Sequence, residues 1–340
     1  MAVSYKPKVI LVYVKKAHAV NRFYPSLQTC NPNRMTHSCL SYEWVLLIFF
    51  HGILLMSMSS CLKSKTVPAL ANETDRLALL DFKNRITQDP LQIMSSWNDS
   101  VHFCNWLGVT CGPSSKRVMA LNLTAKKLSG SIPSSIGNLT YLTGIYLRNN
   151  SFYDEIPQEV GCLQRLQLLN LSRNSFGGKL PTNLSYCTQL RVLDIAYNNL
   201  VGQIPDHLSS LSKLVELDLG ENSLTGTIPA WIGNFSSLYV LRLPENNFQG
   251  SVPGGLGRLS RLGFFSLSVN NLSGTIPPQI YNISSIYIFS VADNQLHGSL
   301  PTDVGFTLPN LQRFFGSGNN FTGPIPDASK SSKLARLALA

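Results

Sequence analysis

The side chains able to do chemistry in this chain recur at a fixed interval instead of converging on one spot. Tyr146 and Arg148, Arg173, Asp194 and Tyr197, Glu216, Asp218 and Glu221, and Arg242 and Glu245 all flank an apolar position that repeats every 24 residues. Phenols and guanidiniums in such a row suit recognition, because Tyr and Arg dominate binding hot spots. The carboxylates of the middle units, between basic residues on either side, can read charge along a ligand. The pattern suits catalysis poorly. The six His and seven Cys show no metal-ligand spacing. A Gly-rich phosphate loop, a His-Arg-Asp and an Asp-Phe-Gly are all absent from the sequence, so no kinase chemistry is encoded in it. The expectation is a binding protein with no catalytic residue, no metal and no cofactor.

The interval comes from a repeat. The anchors Leu121, Ile145, Leu169, Leu193, Leu217, Leu241, Phe265, Phe289 and Phe314 are separated by seven steps of 24 residues and one of 25. Each unit approximates LxxLxxLxLxxNxLxGxIPxxLGN, as in LVELDLGENSLTGTIPAWIGNF. A period of this length marks a solenoid in which each unit buries its apolar face against its neighbours. Paired anchors such as Leu217 and Leu219 point inward from a short strand, and the residue between them points out. Asn150, Asn174, Asn198, Asn222, Asn246, Asn270, Asn294 and Asn319 form a column whose amides can satisfy buried turns. Gly202, Gly226, Gly250 and Gly274 fall at turns, and Ile-Pro pairs close each unit. Lys126 replaces Asn in the first unit and Asp154 replaces Gly in the second. The expected fold is an α/β right-handed leucine-rich-repeat solenoid with a parallel sheet on its concave face and turns or short helical pieces outside. Nine strands at about 4.8 Å give a track of roughly 40 Å, suited to an extended peptide or a protein flank.

Residues 72–117 precede the first repeat and have a different composition. Helical spacing over Asp75–Ile86 predicts a helix with Leu77, Leu80 and Phe82 on its apolar side and Asp75 at its N-terminal end. DRLALLDFK, DP, SW and C-N-W-x-G-V-x-C running into RVxxLxL follow, along with the LxGxIP signature of the repeats. In these motifs the chain resembles the ectodomains of plant leucine-rich-repeat receptor-like kinases over about residues 72–326. It is most similar to the subfamily of immune receptors for bacterial flagellin and elongation factor. The resemblance implies a cell-surface receptor whose ectodomain takes a peptide or protein ligand and pairs with a co-receptor kinase ectodomain of the same repeat class. It implies no nucleic-acid partner and no small-molecule substrate. A complete member continues into more repeats, a membrane helix and a cytosolic kinase. The alternative class is a secreted inhibitor of the polygalacturonase-inhibiting type, which closes with a cysteine-bearing cap. A third reading is a soluble decoy or truncated receptor product.

Cys104 and Cys111 bracket Trp106 and, in an oxidising compartment, form a disulfide. The alternative is a pair of reduced buried thiols. Cys162 and Cys187 lie one register position apart in successive units, and Cys187 stands in a leucine column, so a buried free thiol is favoured there over a bridge. Eleven N-x-S/T sequons mark candidate glycosylation sites at Asn72, Asn98, Asn122, Asn138, Asn149, Asn170, Asn183, Asn234, Asn271, Asn282 and Asn320. Of these, Asn122 and Asn170 fall on the expected concave strands, and Asn138, Asn234 and Asn282 on the outer side.

Trp44–Met58 is a short apolar run followed by small residues, so 35–60 reads either as a secretory signal peptide cleaved near Ser59 or Ser60 or as a signal-anchor. Either leads to the cell surface or apoplast. The stretch 1–34 carries six basic and no acidic residues, and a start at Met35 would remove it. It also distorts the charge: the net +10 falls to 20 basic against 17 acidic residues from Asn72 onward. That balance, without a basic stripe interleaved with aromatics, excludes a nucleic-acid surface. The remaining assignments are a cap over 72–117, nine repeats over 118–326, and a tenth unit begun over 327–340.

Overall fold

The computed structural model describes residues 68–326 and 333–339. The basic stretch, the apolar run, Cys30, Cys39, Cys61 and residues 327–332 lie outside the described residues.

The apolar anchors form one eleven-stranded sheet. Val109–Cys111 opens it, antiparallel to Val118–Asn122. Parallel strands follow at Gly144–Tyr146, Leu168–Asn170, Val192–Asp194, Glu216–Asp218, Val240–Arg242, Phe264–Ser266, Ile288–Ser290, Arg313–Phe315 and Arg336–Ala338. The 24-residue period fixes the register, so that Leu217 lies opposite both Leu193 and Leu241. The last strand belongs to the tenth unit and extends the track beyond the nine strands expected.

The outer side carries 3-10 turns, each entered through a proline: Ser134–Asn138, Gln158–Cys162, Thr182–Tyr186, Asp206–Ser210, Ala230–Asn234, Gly254–Arg258 and Pro278–Asn282. Proline lacks the N–H that this first position would leave unpaired, and its carbonyl accepts the first bond of the turn, as in Ile136 N–H to Pro133 O at 3.1 Å. The one 25-residue step places its extra residue here, where a single α-turn over Val304–Thr307 replaces the 3-10 turn.

A second parallel sheet of six strands was not legible from the repeat. It comprises Val201–Gly202, Ser223–Gly226, Asn247–Ser251, Asn271–Gly274, Gln295–Ser299 and Asn320–Thr322. The turn residues in LxGxIP suggest a loop. In fact the segment is extended, buries one side chain (Leu224) between exposed ones (Ser223, Thr225), and pairs with its copy in the next unit. Glycines stand at or beside the ends of these strands at φ near +80°, as at Gly226. Asp154 takes the same turn at φ 64°, a left-handed conformation that costs a non-glycine residue about 1 kcal/mol.

The asparagine column works as its chemistry requires. Asn174 Nδ2 donates to Leu147 O of the preceding unit at 3.0 Å and to Leu171 O at 2.9 Å, while its Oδ1 accepts from Phe152 N at 2.9 Å. Asn198, Asn222, Asn246, Asn270, Asn294 and Asn319 repeat the set. In the first unit, where Lys126 stands, Asn150 Oδ1 accepts from both Lys126 N and Leu128 N at 3.0 Å.

The cap departs from expectation. Its helix runs over Pro68–Asn84, so Asp75 lies inside it and not at its end. The buried face is Asp75, Ala78, Leu79 and Phe82, while Leu77 is exposed and Leu80 half-buried. The reason is the partner of Asp75. Arg117 grips the fully buried carboxylate with Nη2 at 2.7 Å and Nε at 2.8 Å, and Val118 N adds a third bond at 2.9 Å. Trp97 stacks on Trp106 with centroids 5.3 Å apart, and Phe82 links Trp97 to Phe152 of the second unit. Cys104 and Cys111 are bridged, with Cα atoms 5.5 Å apart. Cys187 is a buried free thiol whose Sγ lies 3.3 Å from Val160 O, and burial pushes its pKa up to about 12, so it does not present a thiolate.

Candidate ligand-binding face

The strands place Tyr146, Asp194, Glu216, Asp218 and Arg242 within the long concave sheet. Arg148, Arg173, Tyr197, Glu221 and Glu245 are not strand residues, contrary to the sequence expectation. They lie just beyond the strand ends, and four of them have positive φ: 56° at Arg173, 57° at Tyr197, 52° at Glu221 and 52° at Glu245. The chain turns there through a left-handed residue so that the following Asn can reach back into the preceding unit. These side chains therefore form a rim, and the strand residues form a floor.

The rim is held by contacts between units. The Arg173 guanidinium lies 3.9 Å from the centre of the Tyr197 ring. A hydrogen bond to Glu221 holds the Tyr197 hydroxyl above its ordinary pKa. Glu245 and Arg148 stand exposed at either side. At the head of the floor the Tyr146 ring folds back over Gly144, where an added Cβ would come within 2.6 Å of it.

The acidic floor is less open than the sequence suggests. Asp194 and Asp218 lie opposite each other and are buried, and Glu216, two residues before Asp218 on its strand, is half-buried. Asp194 Oδ2 accepts from Ser172 Oγ at 2.9 Å, and Ser172 Oγ also contacts Asn170 Oδ1 at 2.8 Å. Arg242 Nε lies 3.3 Å from Asp218 Oδ2. Loss of solvent nevertheless outweighs that cation, and burial first, then the neighbouring carboxylates, pushes Asp218 up to about 6. Burial and the Asp194 charge push Glu216 upward as well. Three carboxylates share the floor with the Arg242 guanidinium, and Arg148 acts on Glu216 from the rim, so acidic groups outnumber basic ones and a ligand cation would balance them.

Sequence reasoning missed a second group on this face. Tyr239, Phe264 and Tyr287 pack together, with centroids 6.1 Å apart for Tyr239–Tyr287 and for Phe264–Tyr287. Arg242 lies 5.1 Å from the Phe264 ring centre, which joins this group to the acidic floor. The signal was present two residues before each anchor, where Tyr239, Gly263 and Tyr287 stand in successive units.

The sequons divide as expected between the faces. Asn122 and Asn170 end concave strands, and Asn138, Asn234 and Asn282 end outer turns and are exposed. Among the described residues no cluster of His, Cys, Asp or Glu could hold a metal ion, and no helix is long and apolar enough to cross a membrane.

Residues 72–112 match the leucine rich repeat N-terminal domain, and 165–187, 189–211 and 213–235 each match the leucine rich repeat. Over 83 residues the chain is 49% identical to the LRR receptor-like serine/threonine-protein kinase EFR of Arabidopsis thaliana; this stretch is 24% of the chain and 8% of that protein. The chain matches less than a tenth of that relative's length, and the kinase in its name refers to a part not covered. Among solved structures, the ectodomain of the receptor kinase GASSHO1/SCHENGEN3 from Arabidopsis thaliana, in complex with CASPARIAN STRIP INTEGRITY FACTOR 2, aligns with a TM-score of 0.73 at 32% identity, covering 76% of this chain and 32% of that one. The Arabidopsis receptor kinase HAESA, in complex with the peptide hormone IDA and the co-receptor SERK1, aligns at 0.57 with 27% identity, covering 78% and 53%.

Proposed function

We propose that this chain, which is similar in its cap and repeats to plant leucine-rich-repeat receptors, is the ligand-recognising extracellular region of a cell-surface receptor. The occupant of its concave face is an extended peptide or the flank of a protein. A single observation carries this reading: the face presents a rim and floor of Tyr, Arg and carboxylate side chains that lie outside the apolar core. The side chains that hold the solenoid together, the Leu and Phe anchors and the Asn column, all point elsewhere. Structural relatives that hold a peptide hormone and a co-receptor on the same scaffold support the reading, as does the disulfide in the cap, which suits an oxidising compartment.

On this reading the chain reaches the outer face of the plasma membrane or the apoplast through the secretory pathway. It pairs there with a co-receptor ectodomain of the same repeat class, and defence signalling is the process served. Glycans at the exposed Asn138, Asn234 and Asn282 leave the face open, whereas a glycan at Asn122 or Asn170 covers its first units.

The test uses the secreted chain and a displayed random-peptide library. Peptides retained by the chain should bind the variant carrying Tyr146→Ala, Arg148→Ala and Tyr197→Ala at least about tenfold more weakly, since hot-spot truncations cost about 2 kcal/mol or more. Thermal unfolding should change little, because none of the three is in the core. Equal affinity for both proteins would remove the rim from the binding site.

A further inference from the structure

The aromatic group one to three units beyond the acidic floor has a shape that the fold itself does not require. Tyr239 and Tyr287 belong to units separated by one repeat, yet their rings meet above Gly263. A Cβ at Gly263 would come within 2.7 Å of the Tyr239 ring and 2.8 Å of the Tyr287 ring. Glycine at this one position is therefore what lets the two rings lie down across the strand between them. Tyr239 remains 45% exposed, and the ring pair forms one side of a hollow of about 360 Å³ completed by Ser285, Asn310 and Gln312.

Every residue lining this hollow is neutral. Asn310 is already engaged, donating to Ser284 O at 2.9 Å and accepting from Lys333 Nζ at 2.7 Å. Ser285 Oγ donates to Leu262 O at 2.8 Å. Partial burial, and then the neighbouring Tyr239 phenol, hold the Tyr287 hydroxyl above its ordinary pKa. What remains for a ligand is two ring faces and the exposed Gln312 amide. Ring faces attract other rings and C–H groups, and an open amide pairs with a peptide backbone.

The neighbouring charge then limits the occupant. From the strand of Glu216 to that of Gly263 there are two steps across the sheet, about 10 Å, and one more to Tyr287. An extended chain covers that span in about three or four residues. We propose that the Tyr239–Tyr287 platform is a subsite for a neutral ring-bearing residue, proline or aromatic, of an extended peptide whose Lys or Arg three or four positions away sits over Glu216 and Asp218. This rests on the reading of the concave face as a peptide-binding surface and adds the composition and spacing of the peptide.

The experiment is a selection of random dodecapeptides on three secreted proteins: the wild-type chain, Tyr239→Ala with Tyr287→Ala, and Tyr239→Phe with Tyr287→Phe. Circular dichroism confirms that each is folded. Wild type should enrich peptides with a basic residue and a ring residue at the stated offset. The alanine pair should keep the basic residue, lose the ring preference, and bind wild-type-selected peptides about tenfold more weakly. The phenylalanine pair should keep both features, because the platform survives without its hydroxyls. Wild-type peptides that carry no ring preference, or a preference unchanged in the alanine pair, would overturn the subsite and leave peptide binding intact. Enrichment of no peptide by the wild type would overturn both. If the alanine pair fails to fold, loss of the ring preference in a folded Gly263→Leu variant, which displaces the rings, decides in its place; retention there would overturn the proposal.

Discussion

The cap and the repeats are held together by opposite strategies. In the cap each stabilising contact occurs once: one buried ion pair, one disulfide, one stack of tryptophans. In the repeats the same three asparagine bonds recur from unit to unit, so loss of one set is shared with identical neighbours. Such a solenoid behaves as a sum of unit and interface terms. The cap has no such redundancy, and it also shields the apolar end of the first unit. A substitution of comparable chemistry should therefore cost more in the cap than in the middle of the track.

The largest expected effect is at Asp75. Asp75→Ala leaves Arg117 facing an apolar helix and Val118 N–H without its acceptor. Breaking a buried ion pair in this way costs about 3–5 kcal/mol. Thermal unfolding of the secreted variant should show the cap and first units melting early, and a drop in midpoint no larger than that of a surface substitution would show that the pair is not what seats the cap. A smaller effect is expected at Asn222→Ala, which removes bonds to Ile195 O and Leu219 O and the acceptor for Leu200 N. Unsatisfied buried backbone groups of this kind cost about 1–3 kcal/mol. Asn246→Ala should match it closely. A large difference between the two would mean that the ladder is not additive.

The smallest effect separates scaffold from site. Asp218 has its folded pKa raised to about 6 from an ordinary 3.8, chiefly by burial. The folded state thus holds the proton more tightly than the unfolded chain. Stability from this group is complete below about pH 4 and is lost as pH rises through 6. Asp218→Asn should flatten the stability profile between these values and be more stable than wild type at pH 7.5 by about 1 kcal/mol or more. The gain should vanish at pH 4. A variant less stable than wild type at pH 7.5 would show that the Arg242 contact outweighs burial.

The same contrast explains what the sequence disclosed. Periodicity gave the anchors, the asparagine column and the outer turns, because each is imposed on every unit by one physical requirement. The Asp75–Arg117 pair was hidden because its members lie 42 residues apart and occur once. Helix-end chemistry offered a simpler role for Asp75. The second sheet was hidden because its pairing depends on the neighbouring copy and not on local propensity. On the concave face the residue types were legible, but the division into rim and floor follows from a left-handed turn at Arg173, Tyr197, Glu221 and Glu245 that composition does not mark. Tyr239 and Tyr287 became visible only when Gly263 brought their rings together.

The measurement closest to the central claim is hydrogen exchange of the secreted chain with and without a library-selected peptide at saturation. Recognition by the concave face predicts slower exchange in segments covering residues 144–148, 192–197, 216–221 and 239–245, with the outer turns such as Ala230–Asn234 unchanged. Protection confined to the outer turns or to the cap would contradict it.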